Sequence, residues 1–297
     1  MSARPLFGCG TALVTPFTRD GALDEAALRA LVEWQISEGV HFLVPCGSTG
    51  EAQTLSLGEQ RRVVEITVEV AAARVPVVAG AGSNDTRRAI ELSREMQAAG
   101  ATHLLHVSPM YNKPPQRGIV AHFRAIAEST DLPIVAYNVP GRTGSNIEAR
   151  TTLQLAEIPN VVAIKEASGD LGQIEHILRD RPPGFGVLSG DDAITLPLMV
   201  MGGDGVISVV SNATPRAMAS LVEACAAGDF ATARAMHELL GPWFAAAFVE
   251  SNPIPVKAAL AMGRRIQNVL RLPLVPLADA HTATVRHALV AAGALES

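Results

Sequence analysis

The chain has 297 residues, of which 48% are hydrophobic and 18% charged, and its formal net charge is −5. This composition fits one large folded domain or two ordinary ones and excludes intrinsic disorder. The basic residues are scattered, which argues against nucleic-acid binding. No apolar run reaches the roughly 18 residues that a membrane-spanning helix needs. We therefore expect neither a nucleic acid nor a membrane as a partner.

The cysteines indicate the cellular compartment. Cys9, Cys46 and Cys225 are odd in number, and no pair has the spacing of metal ligands. This pattern predicts reduced thiols, no disulfide framework and no metal site. Residues 1–5 lead into a short mixed segment without the apolar core of a signal peptide. We therefore expect a cytoplasmic protein that acts on a small molecule.

Apolar, strand-like runs alternate with amphipathic segments along most of the chain. Strands are predicted over 9–17, 41–45, 75–79, 103–108, 133–137, 161–165, 186–189 and 205–209. Helices are predicted over 24–37, with Asp24 as N-cap, and over 58–73, 85–99, 116–129, 148–156, 170–179, 194–201 and 215–226. Eight strand–helix units predict an α/β fold, the closed (β/α)₈ or TIM barrel. No G-x-G-x-x-G motif follows the first strand, which argues against a dinucleotide-binding open sheet.

The alternation stops after Gly228. Segments 230–248, 255–262 and 278–292 have helical patterns with no strand between them. The sequence therefore predicts two parts, a barrel over 1–227 and a C-terminal helical extension over 228–297 that packs on the barrel. Contacts between subunits are a further role that this extension could have.

Lys165 stands at the end of the sixth predicted strand, after the apolar run 161–164. Active sites of parallel α/β proteins open at this end of the strands. Burial disfavours the charged form of a lysine, and a neutral amine can form a Schiff base with a carbonyl substrate. The alternative is a lysine that reaches solvent or pairs with Glu166. Lysine is rare in this chain, since Lys113 and Lys257 are the only others.

The loop after the second strand reads Gly47-Ser48-Thr49-Gly50-Glu51. Small residues let successive backbone N–H groups converge on one point, as in sites that bind a carboxylate or a phosphate. An ordinary turn followed by a helix cap gives the same pattern. The loop is not a P-loop, because no Gly-Lys-Ser/Thr sequence follows.

Other loops at strand ends carry groups that could take part in chemistry. The two tyrosines, Tyr111 and Tyr137, lie near the C-terminal ends of the fourth and fifth strands, where tyrosine can move protons near an amine; packing in the core is the alternative. Arg142 offers a planar fork for a carboxylate, or else a surface salt bridge. Asp191 and Asp192 form a carboxylate pair, for which capping of the next helix is favoured over metal binding.

Three motifs together resemble the dihydrodipicolinate synthase/N-acetylneuraminate lyase family. They are G-S-T-G-E after the second strand, Y-N-V-P-G-R-T after the fifth and V-A-I-K-E-A-S-G on the sixth, and the resemblance extends from about Leu6 to the C-terminal helices. It implies a Schiff-base reaction of pyruvate that needs no metal or organic cofactor. Arg142 points to the synthases, which condense pyruvate with L-aspartate 4-semialdehyde in lysine and diaminopimelate biosynthesis. The alternative is an aldolase or lyase for a sugar acid, N-acetylneuraminate or a 2-keto-3-deoxy acid.

The resemblance also implies roles for single residues. Lys165 would form the imine with pyruvate, and Tyr137 would be the general acid/base. Ser48 and Tyr111 would complete a hydroxyl relay with Tyr137, and the residue that matches Tyr111 comes from the neighbouring subunit in this family. The implied substrate-binding residues are Gly47 and Thr49 for the pyruvate carboxylate, Arg142 for the semialdehyde carboxylate and Ile207 for its backbone carbonyl near the lysine. Relatives are typically homotetramers, built as dimers of dimers.

The sequence departs from the family pattern in two places. The synthases usually have threonine where this chain has Ser48. Serine at this position is common in the lyases, so it counts against aspartate semialdehyde as the second substrate. Leu57, Arg88 and Met110 stand where feedback-inhibited relatives have a histidine, an acidic residue and a tyrosine that bind lysine, although Asn84 is retained. We therefore expect L-lysine to inhibit weakly or not at all.

Overall fold

Eight strands form one parallel sheet in the computed structural model, which describes residues 6–296. Residues 1–5 and residue 297 lie outside the described residues, and so does the segment on which the prediction of no signal peptide rests. The strands are β1 Gly8–Ala12, β2 Phe42–Val44, β3 Val78–Gly80, β4 His103–Val107, β5 Ile134–Asn138, β6 Val161–Glu166, β7 Gly186–Ser189 and β8 Gly205–Ser208. Their order in the sheet is β2-β1-β8-β7-β6-β5-β4-β3.

The sheet closes between β2 and β3. Leu43 and Val77 form an isolated parallel bridge, and Leu43 N–H donates to Pro76 O at 3.0 Å. Gly80 N–H donates to Pro45 O at 2.9 Å, and a Cβ on Gly80 would lie 2.0 Å from Cys46 O. Both prolines lack an N–H donor, so this seam has few hydrogen bonds. The closed ring confirms the predicted (β/α)₈ barrel.

Helices follow the strands around the barrel and continue beyond it. The first set is α1 Glu25–Ser37, α2 Leu57–Ala71, α3 Thr86–Ala98, α4 Gln116–Ala127, α5 Pro140–Thr143 and α6 Ala149–Ala156. The second set is α7 Leu171–Asp180, α8 Thr195–Val200, α9 Pro215–Ala226, α10 Phe230–Ala246, α11 Ile254–Met262 and α12 Asp279–Ala291. Asp24 caps α1, as predicted, by accepting from Ala27 N–H at 3.0 Å. Among the residues that the structure describes, none of these helices has both the length and the apolar character needed to cross a bilayer.

Three details differ from the sequence prediction. Strand β1 ends at Ala12 rather than at residue 17, because the buried backbone beyond it bonds to side chains; Val14 N–H, for example, donates to Asn212 Oδ1 at 3.1 Å. Strand β3 begins at Val78 rather than at residue 75, since Pro76 removes a donor. Helix α5 was not predicted, because four residues are too few to show a helical period.

The described part of the extension packs directly on the barrel. Helix α10 contacts α9 of the barrel and α12 of the extension. Trp243 on α10 is fully buried, and its indole N–H donates to Val210 O, just beyond β8, at 3.3 Å. Apolar residues of both parts form one continuous core cluster. The division into two units at residue 228 stays a prediction.

Candidate active site

Lys165 and Tyr137 lie side by side on neighbouring strands. They are partners in the register of β5 and β6, and Tyr137 belongs to the apolar cluster inside the barrel. The Lys165 side-chain nitrogen, Nζ, lies 4.1 Å from the centre of the Tyr137 ring. Only 4% of Lys165 is exposed to solvent. The amine is therefore buried in the barrel, in contact with the Tyr137 ring on the neighbouring strand.

Neighbouring residues favour this buried position of Lys165. A Cβ on Gly190, just after β7, would lie 3.1 Å from Lys165 Cε, so glycine leaves space for the aliphatic chain. Glu166 is engaged elsewhere, since its carboxylate accepts from Asn138 Nδ2 at 3.0 Å and from Gln173 Nε2 at 3.2 Å. Glu166 also accepts from Ser168 N–H at 2.6 Å. These contacts disfavour the alternative in which Lys165 pairs with Glu166.

The loop after β2 has the geometry of an anion site. Gly50 N–H and Glu51 N–H close the turn by donating to Gly47 O and Ser48 O at 3.1 and 3.2 Å. Within the described chain, the N–H groups of Ser48 and Thr49 have no backbone acceptor. Two adjacent N–H donors without an acceptor can bind a carboxylate. The Thr49 side chain is buried beside them, whereas Ser48 is exposed.

A cavity of about 680 Å³ joins this loop to the ends of β5 and the segment after it. Among the predicted site residues, those that line the cavity are Gly47, Ser48, Tyr137 and Arg142. Lys165 adjoins the cavity through its contact with Tyr137. The structure thus brings together residues that are far apart in the chain, since Gly47 and Lys165 are separated by 118 positions.

The predicted Tyr111 is not part of this cavity in a single chain. It is 88% exposed, and its backbone has a left-handed φ of +72°, which non-glycine residues rarely adopt. Its N–H donates to Thr143 O at 3.0 Å, which places Tyr111 beside Met110 and Arg142 in a shallow surface depression. A relay from Tyr111 to Tyr137 therefore stays a prediction and would need a second copy of the chain.

The remaining predicted residues lie on β8 and in the turn after β7. Ile207 is buried inside the barrel. Asp191 caps the turn after β7 by accepting from Ala193 N–H at 2.9 Å. Asp192 Oδ2 accepts from Val209 N–H at 3.0 Å, and burial raises the pKa of Asp192 to about 6. Both carboxylates therefore bind backbone N–H groups, and the described residues contain no cluster of three or more potential metal ligands.

A residue that the sequence analysis did not select connects two of the predicted ones. Asn252, between α10 and α11, donates from Nδ2 to Thr49 Oγ1 at 2.8 Å. Its backbone oxygen accepts from Arg142 Nη2 at 3.2 Å. No spacing pattern identifies an asparagine in a loop between two helices as a site residue. The contact arises only because the extension folds back over the barrel.

A buried ion pair connects the anion loop, residues 47–51, to the C-terminal extension. Glu51 Oε1 lies 2.6 Å from Lys257 Nζ, and both side chains are fully buried. Lys257 also donates to Thr15 O at 2.9 Å, and Arg271 N–H donates to Glu51 Oε2 at 3.1 Å. Burial lowers the pKa of Lys257, while the Glu51 carboxylate opposes this shift. The rarity of lysine was the one sequence signal that could have identified this pair.

Comparison with known proteins gives the same picture along nearly the whole chain. The model of the dihydrodipicolinate synthetase family matches residues 5–292. A relative from Koribacter versatilis, named 4-hydroxy-tetrahydrodipicolinate synthase, is 53% identical over 293 residues and covers 98% of each chain.

Solved structures agree with this match. The chloride-inhibited dihydrodipicolinate synthase of Acinetobacter baumannii, solved with pyruvate, has a TM-score of 0.96 and 42% identity, over 98% of this chain and 100% of its own. A structure described as the first monomeric dihydrodipicolinate synthase variant also has a TM-score of 0.96 and 42% identity, over 98% of each chain. The resemblance noted in the sequence is therefore confirmed, and this chain belongs to the dihydrodipicolinate synthetase family.

Proposed function

We propose that this chain is a lyase that condenses pyruvate with L-aspartate 4-semialdehyde to give 4-hydroxy-tetrahydrodipicolinate, in lysine and diaminopimelate biosynthesis. One observation carries the proposal: a buried lysine contacts a tyrosine that lines the same cavity as an exposed arginine. The lysine supplies an amine for a ketone, and the arginine supplies a cation for a second carboxylate. The relatives named above support the same reaction.

The first step joins pyruvate to Lys165. The neutral amine attacks the ketone carbon of pyruvate, and loss of water gives an imine. Protons must reach the departing oxygen and leave the nitrogen, and Tyr137, whose ring contacts the amine, would transfer them. Thr49 and the free N–H groups of the anion loop would hold the pyruvate carboxylate. Ile207 would contribute its backbone carbonyl near the amine.

The second step forms the carbon–carbon bond. The imine acts as an electron sink, so a base can remove a proton from the pyruvate methyl group and leave an enamine. The enamine carbon attacks the aldehyde carbon of the semialdehyde, whose oxygen takes up a proton. Arg142 would hold the carboxylate of this second substrate. The amino group of the adduct then attacks the imine carbon, which closes the ring and releases Lys165 as the free amine.

Arg142 also argues against the sugar-acid alternative. The aldehydes used by sugar-acid aldolases are polyols, which offer no carboxylate for a guanidinium at the cavity rim. The relatives that match over the whole chain are named synthases rather than sugar-acid lyases. Ser48 keeps the hydroxyl of the threonine it replaces, so a relay through it needs no other group.

Assembly and location complete the proposal. We infer a homotetramer built as a dimer of dimers, as the family resemblance implies. The exposed Tyr111 lies outside the cavity of a single chain, which supports a contact with one partner chain. The structure of a monomeric variant in this family makes analytical ultracentrifugation the necessary test. A cytoplasmic location is supported by three free cysteines, which are all buried.

Turnover with a panel of aldehydes tests the function. Pyruvate consumption would be measured with L-aspartate 4-semialdehyde, N-acetylmannosamine and glyceraldehyde as separate partners. We expect fast turnover with the semialdehyde alone. Faster turnover with either sugar aldehyde would move the chain to the lyases and leave Arg142 without its assigned role.

A further inference from the structure

The segment between α10 and α11 reaches the active site through Asn252. This asparagine is 6% exposed and lines the cavity, although it belongs to the C-terminal extension rather than to a barrel loop. Its side-chain amide contacts Thr49, and its backbone oxygen contacts Arg142. The proposed function assigns these two partners to the carboxylates of the two substrates. One residue of the extension therefore touches both carboxylate-binding groups.

The hydrogen bond to Thr49 has a direction. The amide nitrogen of Asn252 can only donate, so Thr49 Oγ1 accepts at 2.8 Å and keeps its own proton. Among the described residues, the Thr49 hydroxyl has no acceptor for that proton, and the oxygen of the Asn252 amide has no donor. A buried hydroxyl whose oxygen accepts one hydrogen bond still has its own proton to donate. A carboxylate in the anion loop is the acceptor that this arrangement fits.

We propose that Asn252 is a positioning residue that fixes Thr49 as a hydrogen-bond donor to the pyruvate carboxylate. The inference rests on the proposed function, because it takes pyruvate as the anion beside Thr49. The chemistry requires no group beyond the amide and the hydroxyl. Without Asn252 the hydroxyl would rotate freely, and part of its interaction with the carboxylate would be lost.

Binding of pyruvate, rather than overall turnover, gives the clearest test. Borohydride would be used to reduce the imine, and the fraction of Lys165 trapped would be measured as pyruvate is raised. We expect Asn252→Ala to raise the half-saturating pyruvate concentration by about tenfold, the loss of one hydrogen bond to a charged group. Asn252→Asp should raise it further, because a carboxylate accepts the Thr49 proton and repels pyruvate. The exposed Asn268 provides a matched control, Asn268→Ala, which should leave the concentration unchanged.

A double-mutant cycle separates positioning from simple packing. Thr49→Val removes the hydroxyl, so adding Asn252→Ala to it should change the half-saturating pyruvate concentration by less than about twofold. An unchanged tenfold effect in the Thr49→Val background would overturn the proposal, and so would tighter pyruvate binding by Asn252→Ala alone. Tighter pyruvate binding by Asn252→Ala would mean that the amide oxygen of Asn252 had accepted the Thr49 hydroxyl proton.

The same measurement distinguishes failure of this inference from failure of the proposed function. If the wild-type protein forms no adduct on Lys165, both proposals fall. If the wild-type protein is trapped and Asn252→Ala has the same half-saturating concentration, only the role of Asn252 is refuted. The second substrate is absent from the assay, so the choice of aldehyde does not affect the result.

Discussion

Lys257 Nζ lies 2.6 Å from Glu51 Oε1, in an ion pair that is fully buried between the anion loop and helix α11. The two residues are 206 positions apart in the chain. The Lys257 ammonium also lies 4.3 Å from the centre of the Phe17 ring. Since Glu51 directly follows the residues that form the anion site, this pair links the shape of the site to the docking of the extension.

Lys257→Met should be strongly destabilising, because it leaves the Glu51 carboxylate buried without its partner. We expect the free energy of unfolding to fall by about 3–5 kcal/mol. The double variant Glu51→Gln/Lys257→Met should recover most of this loss, since no buried charge remains. Urea denaturation at fixed protein concentration would measure both, with the exposed Lys113→Met as control. Equal stability of the single and double variants would contradict the role of the uncompensated charge.

Reductive trapping should modify Lys165 and neither of the other lysines. Pyruvate with borohydride would be followed by peptide mapping, and the adduct is expected on the β6 peptide because Lys165 adjoins the cavity beside Tyr137. Lys165→Met should abolish both trapping and turnover. An adduct on Lys113 or Lys257 would refute the mechanism.

Arg142→Ala should separate the two substrates. The Arg142 guanidinium lines the cavity. Among the described residues, its only hydrogen-bond acceptor is the backbone oxygen of Asn252. Loss of a paired contact to a carboxylate should lower kcat/KM for aspartate semialdehyde by about 100-fold or more. Trapping with pyruvate alone should be unchanged, because Thr49 and the loop N–H groups remain. If both measurements stay at the wild-type level, the assigned role is wrong.

His106 should make the fold sensitive to acid. It is fully buried, and its Nε2 lies 3.2 Å from Ser93 Oγ. Burial lowers the pKa of His106 to about 3 from an ordinary value of 6.5. The folded-state pKa is depressed, so the unfolded chain binds the proton first as pH falls through 6.5, and stability decreases toward acid pH. The expected slope is about 1.4 kcal/mol per pH unit between these two values.

The variant His106→Gln tests this slope. Urea denaturation at pH 7 and pH 5 should show about 2 kcal/mol less acid destabilisation in the variant than in the wild type. His122, whose pKa burial lowers to about 4, is retained in both proteins and contributes equally. Parallel pH dependence in the two proteins would show that His106 does not titrate on unfolding.

L-Lysine should inhibit weakly or not at all. Arg88 lines the cavity and pairs with Glu91 at 3.2 Å, so a lysine ammonium would meet a guanidinium there rather than a carboxylate. Leu57 and Met110 offer no charge to offset this repulsion. Initial rates would be measured across a lysine titration, with D-lysine as control. Inhibition at sub-millimolar L-lysine would refute this expectation.

Local patterns were sufficient to predict the barrel and the position of the buried Lys165 near the end of a strand. The predicted strands are largely apolar runs and the predicted helices have an apolar stripe, so element type follows from residues a few positions apart. Lys165 could be identified because a charged residue directly follows the apolar run 161–164 of a buried strand. Tyr137 lies near the end of the neighbouring strand and Arg142 follows that strand, and parallel strands bring their carboxyl ends together.

Long-range contacts could not be predicted in this way. Asn252 touches Thr49 from 203 positions away, and Glu51 pairs with Lys257 across a similar distance. Both contacts depend on how α10 and α11 cross the end of the barrel, which is determined by core packing around Trp243 rather than by any local period. The exposure of Tyr111 is also invisible in the sequence, since an aromatic residue after a strand is usually buried.

The seam between β2 and β3 has a consequence for ligand binding. The seam has one isolated bridge, between Leu43 and Val77, and the two backbone hydrogen bonds described above. The anion loop begins at Gly47, three residues after β2 ends at Val44. We therefore expect local opening of the barrel to begin at this seam, beside the loop that we propose binds the pyruvate carboxylate. A ligand that binds only the closed ring stabilises it in proportion to the logarithm of its concentration. Bound pyruvate would then stabilise the closed barrel, so that the frequency of barrel opening would depend on the pyruvate concentration.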